Sequence, residues 1–313
     1  EFRKVCEEYD CFQLGEGPMT STRSALSYLT GKHKSLDLMF HFDHMFADCI
    51  FTEYMQRPFH LRSLKHAFSK WQKALNGRAW NTLYLENHDH PRDISRYGNE
   101  RYHRASGSML AVCYLFQQGT PFVYQGQEIG MTNIKLASID QYVDVSSHNN
   151  YDTFHLKDSV EKRMERIHAS SRDSARTPMQ WDDSANAGFT TGTPWIKVNS
   201  NYPKVNAKQE VSDPDSVFSY YKKLIRLRHE NEIIVYGDYK LLAPEDEALF
   251  IYTRMLGTQR LMVLCNFTGK EVSIPQEVTE QIPADAKLLI GNYSKQKEEM
   301  LQAYEARVYA YHV

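Results

Sequence analysis

Apolar positions along this chain alternate between short strand-like runs and longer stretches of helical period up to about residue 230. The pattern predicts strands near 11–15, 36–43, 81–87 and 120–125. Helices are predicted near 61–75, 102–118, 157–169 and 214–230, and the first of these places Leu61, Leu64, Phe68, Trp71 and Leu75 on one face. Strands that alternate with helices are typical of a parallel sheet in an α/β fold.

The pattern of apolar and polar positions changes at about Val235. Short β-rich runs follow at 248–254, 260–267 and 306–313, separated by Gly, Pro and Asn, which is typical of antiparallel sheets. We therefore predict two domains, residues 1–234 and residues 235–313, with the second an antiparallel β domain.

Composition narrows the function classes. The formal net charge is −2 and no basic run stands out, which argues against a nucleic-acid or membrane-surface partner. The five cysteines are odd in number and lack metal-ligand spacing, so we expect free thiols in a reducing, cytoplasmic compartment. No stretch is long and apolar enough to span a bilayer, and we expect no cofactor or metal.

Chemistry-bearing side chains stand at the ends of two predicted strands. His88 and Asp89 follow the strand near 81–87, and Glu16 follows the strand near 11–15, 73 positions upstream. A (β/α)₈ barrel spends about 31 residues on each strand and helix, so this gap equals about two units. Barrel enzymes carry their chemistry at the carboxyl ends of the strands, and two carboxylates there suggest glycoside hydrolysis.

The longer motifs carry a family resemblance. The chain resembles the α-amylase superfamily, family 13 of the glycoside hydrolases, and within it the α-glucosidases that include oligo-1,6-glucosidase and dextran glucosidase. The resemblance covers nearly all of the sequence, and its motifs are Gly15-Glu16 and the segments 87–92, 119–133, 172–182 and 186–191. It implies the second half of a (β/α)₈ TIM barrel, strands five to eight, followed by an antiparallel β-sandwich domain.

The same resemblance implies residue roles. The chain matches retaining enzymes that release glucose from the non-reducing end of short α-linked gluco-oligosaccharides through a covalent intermediate. Glu16 matches the acid/base, and Asp89 matches the carboxylate that holds the sugar hydroxyls and stabilises the transition state. His88 and Arg176 match sugar-binding positions. Arg92, like Arg96, is expected either to line the aglycone side or to pair with Asp93 and Glu100 on a solvated loop.

The chain also departs from the family pattern. The family nucleophile is an Asp in a Gly-Phe-Arg-x-Asp motif on strand four, and neither that motif nor the Asn-His pair of strand three occurs in residues 1–313. Asp43 and Glu128 match family positions that are not the nucleophile. We therefore expect the carboxyl-terminal part of a longer enzyme, inactive alone, which binds the missing half of the barrel or self-associates.

Two other functions stay open. Relatives such as sucrose isomerases and trehalose synthases transfer the glycosyl group instead of hydrolysing it. Sucrose isomerases carry an Arg-rich segment after strand six, where this chain has residues 44–48, His-Met-Phe-Ala-Asp, so hydrolysis is favoured. Non-catalytic subunits of amino-acid transporters share the barrel but have lost catalytic residues, and the presence of Glu16 and Asp89 argues against that class.

Overall fold

Four short parallel strands form the amino-terminal part of the protein. The computed structural model describes residues 2–50, 54–153 and 157–313. The pairs β1–β2 and β3–β4 each form a parallel ladder. Hydrogen bonds from Thr82 Oγ1 to the Met39 carbonyl (3.0 Å) and from the Tyr84 hydroxyl to the His41 carbonyl (2.7 Å) join β2 to the chain of β3. The strands are β1 (Leu14–Gly17), β2 (Leu38–His41), β3 (Thr82–Leu83) and β4 (Thr120–Pro121).

Eleven α-helices lie before, between and after these strands in the described part of the chain up to Tyr236. They are α1 (Phe2–Glu8), α2 (Thr22–Leu29), α3 (Leu61–Leu75), α4 (Asp93–Arg96), α5 (His103–Leu115), α6 (Val145–Thr153), α7 (Val160–Ser170), α8 (Asp173–Arg176), α9 (Ala207–Ser212), α10 (Val217–Glu230) and α11 (Glu232–Tyr236). The apolar face predicted for α3 is buried, with every one of its five large side chains at most 3% exposed. This helix ends before Gly77, whose φ of +65° lies in the left-handed region that favours glycine.

The elements occur in the predicted order, but several are shorter than predicted. The ladder between β3 and β4 pairs only Thr82 with Thr120 and Leu83 with Pro121, with hydrogen bonds from the Thr120 and Phe122 N–H groups to the Asn81 and Leu83 carbonyls, each 2.8 Å. Helix α10 begins at Val217 and not near Pro214, since the Ser216 side chain accepts a hydrogen bond from the Ser219 N–H (3.0 Å) and caps the helix there. Asp213 instead accepts from the backbone of Asp215.

The carboxyl-terminal region contains a five-stranded antiparallel sheet in the order β5-β6-β7-β11-β9 and a small antiparallel pair, β8–β10. Its elements are β5 (Asp238–Leu242), β6 (Leu249–Leu256), β7 (Gln259–Asn266), β8 (Val272–Ser273), α12 (Gln276–Thr279), β9 (Lys287–Gly291), β10 (Met300–Leu301) and β11 (Ala306–His312). One face of the large sheet packs on α3, α5, α10 and α11 in a shared apolar core. The predicted boundary between residues 234 and 235 stays a prediction.

None of the helices in the described ranges is both long and apolar enough to cross a bilayer. None of the five cysteines, all of which lie in the described ranges, forms a disulfide; Cys11 is exposed and the other four are buried.

Candidate active site

Glu16 is oriented by the two glycines beside it. A Cβ atom added to Gly15 would lie 2.6 Å from Leu36 Cδ1, and one added to Gly17 would lie 2.5 Å from Met39 Sδ. Met39 belongs to the apolar cluster that contains Trp71 of α3, so this side of β1 faces the helices. Because successive side chains of a strand alternate, Glu16 points to the opposite, inner side, where its side chain is exposed.

Asp89 lies in a turn that follows β3. Its backbone N–H donates to Asn87 Oδ1 (2.9 Å), which fixes the turn locally. Oδ1 of Asp89 accepts a hydrogen bond from Arg176 Nη2 at 2.6 Å, and the Nε of Arg176 donates to the His88 carbonyl at 2.8 Å. Oδ2 lies 3.5 Å from His88 Nε2. Arg176 therefore holds one carboxylate oxygen and leaves the other toward the exposed imidazole.

Arg172 is a second arginine at Asp89, and no role was predicted for it from the sequence. Its Nη1 lies 3.4 Å from Asp89 Oδ1, while its Nε and Nη2 donate to the two oxygens of Asp144 at 3.2 and 2.8 Å. The Asp144 carboxylate raises the pKa of Arg172 above its ordinary value. Arg172 and Arg176 are four residues apart at α8, so they project to one side. The four-residue spacing of these two arginines within the segment 172–182 is the sequence feature from which Arg172 could have been predicted as a site residue.

The backbone at Asp144 is held by the buried carboxylate of Asp173. Its side chain is buried, and its backbone N–H and that of Val143 donate to the carboxylate of Asp173 at 3.2 and 2.6 Å. Asp173 is 1% exposed. A carboxylate that accepts several backbone N–H donors is held rigidly, so the loop that carries Asp144 is tied to the start of α8.

Arg92 is a buried residue. Its side chain is 1% exposed and forms an ion pair with the fully buried carboxylate of Glu86 (2.9 Å), and it also donates to the carbonyls of Gln125 and Ser174. The substrate contact expected of Arg92 stays a prediction. The ion-pair partner of the buried guanidinium is Glu86, and not Asp93 on a solvated loop as the alternative expected.

Arg96 is likewise a core residue. It pairs with Asp48 (Nη2 to Oδ1, 2.5 Å), and both side chains are nearly buried. Glu100, the expected partner, instead accepts from Ser95 Oγ (2.7 Å) and pairs with Lys135. Arg96 and Asp48 are 48 residues apart, so no local sequence pattern relates them, whereas Glu86 is six residues before Arg92.

A second carboxylate, that of Asp93, lies close to the buried ion pair of Glu86 and Arg92. Asp93 is buried, and burial together with the neighbouring charge of Glu86 raises the pKa of Asp93 well above its ordinary value. Its Oδ2 accepts from Gln127 Nε2 at 2.9 Å. The positive charge of Arg92 thus pairs with Glu86. Asp93 is favoured in its protonated form because its pKa is raised.

Asp43 and Glu128, which match family positions other than the nucleophile, are each held by hydrogen bonds. Asp43 Oδ2 accepts from Lys70 Nζ (2.5 Å) and Trp71 Nε1 (2.9 Å), so it joins the chain after β2 to α3. Glu128 Oε2 accepts from the Gly126 N–H (2.8 Å) in a tight turn after β4.

His41 and His44 pack as aromatic rings. His41 stacks on Trp71 with ring centroids 4.3 Å apart, and His44 stacks on Phe68 at 5.2 Å. Burial lowers the pKa of His41 to about 3, partly offset by the charge of Asp43, and burial also lowers the pKa of His44. Across the described ranges no group of three or more His, Cys, Asp or Glu side chains is arranged to hold a metal ion.

The two predicted carboxylates lie near the carboxyl ends of two parallel strands. Glu16 lies within β1 and Asp89 follows β3, and the charge of Glu16 contributes to the raised pKa of buried Tyr84, after the effects of burial and of Tyr97. A family model, the α-amylase catalytic domain, matches residues 1–237, and the chain belongs to this family.

Individual relatives agree with that assignment. The chain is 44% identical to oligo-1,6-glucosidase of Parageobacillus thermoglucosidasius, over 98% of this chain and 56% of the relative. The crystal structure of trehalose-6-phosphate hydrolase from Bacillus licheniformis matches with a TM-score of 0.91 and 39% identity, over 98% of this chain and 57% of that one. Isomaltulose synthase from Klebsiella sp. LX3 matches with a TM-score of 0.90 and 32% identity, over 99% and 57%.

These matches establish the fold class. The four parallel strands are the second half of a TIM barrel of this family, and the antiparallel sheet is the carboxyl-terminal domain that follows it. The chain spans little more than half of the length of the relatives that it matches.

Proposed function

We propose that the full-length protein that carries these residues is a retaining α-glucosidase acting on the non-reducing end of short α-linked gluco-oligosaccharides. The observation that supports this most is the Asp89 carboxylate, which has Oδ1 bonded to Arg176 and Oδ2 turned toward exposed His88. Hydrogen bonds from sugar hydroxyls to such a carboxylate strengthen in the transition state and supply several kcal/mol. The family membership and the similarity to an oligo-1,6-glucosidase also favour it.

In this mechanism the residues divide the work. Glu16 protonates the leaving oxygen and later activates water, and Asp89 binds the sugar hydroxyls beside the reacting carbon. His88 donates to the same hydroxyls, and Arg176 orients Asp89 while it contacts the terminal glucose. The covalent nucleophile is a carboxylate outside residues 1–313, and this chain alone is inactive.

The stereochemistry of the product tests the mechanism. A retaining enzyme inverts the anomeric carbon twice, so NMR of isomaltose or maltose hydrolysis should show α-glucose first. Early β-glucose would refute the retaining assignment. Conversion of sucrose to an isomer, in place of glucose and fructose, would favour the transglycosylating alternative.

The role of Glu16 is tested with leaving groups. Glu16→Gln should lower turnover of natural disaccharides by about 100-fold or more, since general acid catalysis contributes that much. The first step with an activated aryl glucoside should be spared, because its leaving group needs little protonation. Equal losses on both substrates would contradict the acid/base role.

A further inference from the structure

Arg172 lies between the carboxylates of Asp144 and Asp89 and forms more hydrogen bonds with Asp144 than with Asp89. Its Nε and Nη2 form a two-point contact with Asp144 at 3.2 and 2.8 Å, whereas only its Nη1 reaches Asp89, at 3.4 Å. Two parallel contacts between a guanidinium and a carboxylate are stronger and more directional than one. The orientation of Arg172 is therefore set by Asp144.

Asp144 is well suited to hold Arg172 in place. Its side chain is 4% exposed, its backbone is tied to Asp173, and the Tyr54 hydroxyl donates to its Oδ2 at 3.5 Å. Ser146 Oγ adds a further acceptor for Arg172 Nη2, at 2.7 Å. This arrangement opposes movement of the guanidinium toward Asp89.

Loss of Asp144 would free the guanidinium beside a second acceptor. The Asp89 carboxylate is 35% exposed and already within 3.4 Å of Arg172, so the guanidinium would turn and bond both of its oxygens. That arrangement would occupy Oδ2, the oxygen that the proposed mechanism gives to the sugar.

We propose that Asp144 is a positioning residue for Asp89 and that it acts through Arg172. Asp144 accepts hydrogen bonds from Nε and Nη2 of this arginine and so keeps Asp89 Oδ2 available to the sugar. This inference rests on the proposed glucosidase function and deepens it. It assigns a functional role to the segment between β4 and α6, in which Asp144 lies.

The test is a double-mutant cycle in the full-length enzyme, with kcat and KM measured on isomaltose and maltose. Asp144→Asn should lower kcat/KM by about 100-fold, because small misplacements of a reacting group cost that much. Adding Arg172→Gln to Asp144→Asn should restore activity to the level of Arg172→Gln alone, since the competing guanidinium is gone. Asp144→Glu should recover part of the activity because it keeps the charge.

A merely structural role predicts a different pattern. If Asp144 only stabilises the loop, the double variant should be as poor as Asp144→Asn or poorer, and that result would overturn the inference. Asp140→Asn is the matched control, since Asp140 is an exposed carboxylate on the same segment, and it should behave as the wild type. If Asp144→Asn does not fold, Asp144→Ser gives the same comparison with a smaller side chain.

The two proposals fail in distinguishable ways. A wild-type enzyme without hydrolysis of any α-glucoside would refute the function and this inference together. An active wild type whose variants show independent, additive losses would refute the inference alone.

Discussion

Protonation of His41 should make the protein acid-sensitive, and replacement of this residue by phenylalanine should reduce that sensitivity. His41 stacks on Trp71 with an interplanar angle of 6°, so Phe keeps a ring in the stack and removes the proton-binding group. Burial, opposed by Asp43 and Asn81 and assisted by Lys70, lowers the pKa of His41 to about 3.

The sign and size of the effect follow from linkage. The unfolded chain binds a proton at an ordinary histidine pKa of about 6.5, whereas the folded state rejects it until the pH approaches 3. Stability is therefore lost as the pH falls below about 6.5 and levels off near the folded pKa. Between pH 7 and pH 5 this single residue should cost about 2 kcal/mol of unfolding free energy.

Equilibrium urea unfolding of the full-length protein at pH 7, 6 and 5 measures this cost. The wild type should lose about 2 kcal/mol more than His41→Phe between pH 7 and pH 5, with similar m-values. His33, which is exposed, provides the matched control, because His33→Phe removes an imidazole that is not buried. Parallel losses in the wild type and His41→Phe would refute the reasoning.

Three further predictions concern the core and the surface. Arg92→Met should lower the unfolding free energy by about 3–5 kcal/mol, because it leaves the buried Glu86 charge unpaired; a loss under 1 kcal/mol in urea unfolding would contradict this. Asp93→Asn should become relatively more stable than the wild type as the pH rises from 4 to 8, because above about pH 4 the unfolded chain releases the Asp93 proton that the folded state retains; a pH-independent difference in melting temperature would show otherwise. The 313-residue chain alone should self-associate, because Phe2 and Phe12 are exposed and β1 pairs on one edge only within the described sheet; a monomer in light scattering that binds no apolar dye would disprove it.

The sequence by itself determined the order and kind of the elements. The face of α3 was readable because helical periodicity places Leu61 and its four partners on one side, and that side is buried as predicted. The change to an antiparallel sheet near residue 235 was readable from short apolar runs separated by turn residues. Family motifs supplied the family and the fold class, which the comparisons confirmed.

Only the tertiary structure decided which charged groups meet. Arg92 was expected near the substrate and is buried against Glu86, and Arg172 was not singled out although it bridges Asp89 and Asp144. Asp144 and Arg172 are 28 residues apart, and no local periodicity relates them. An ion pair depends on distance in space and on burial, so the same arginine type becomes a core residue in one position and part of the site in another.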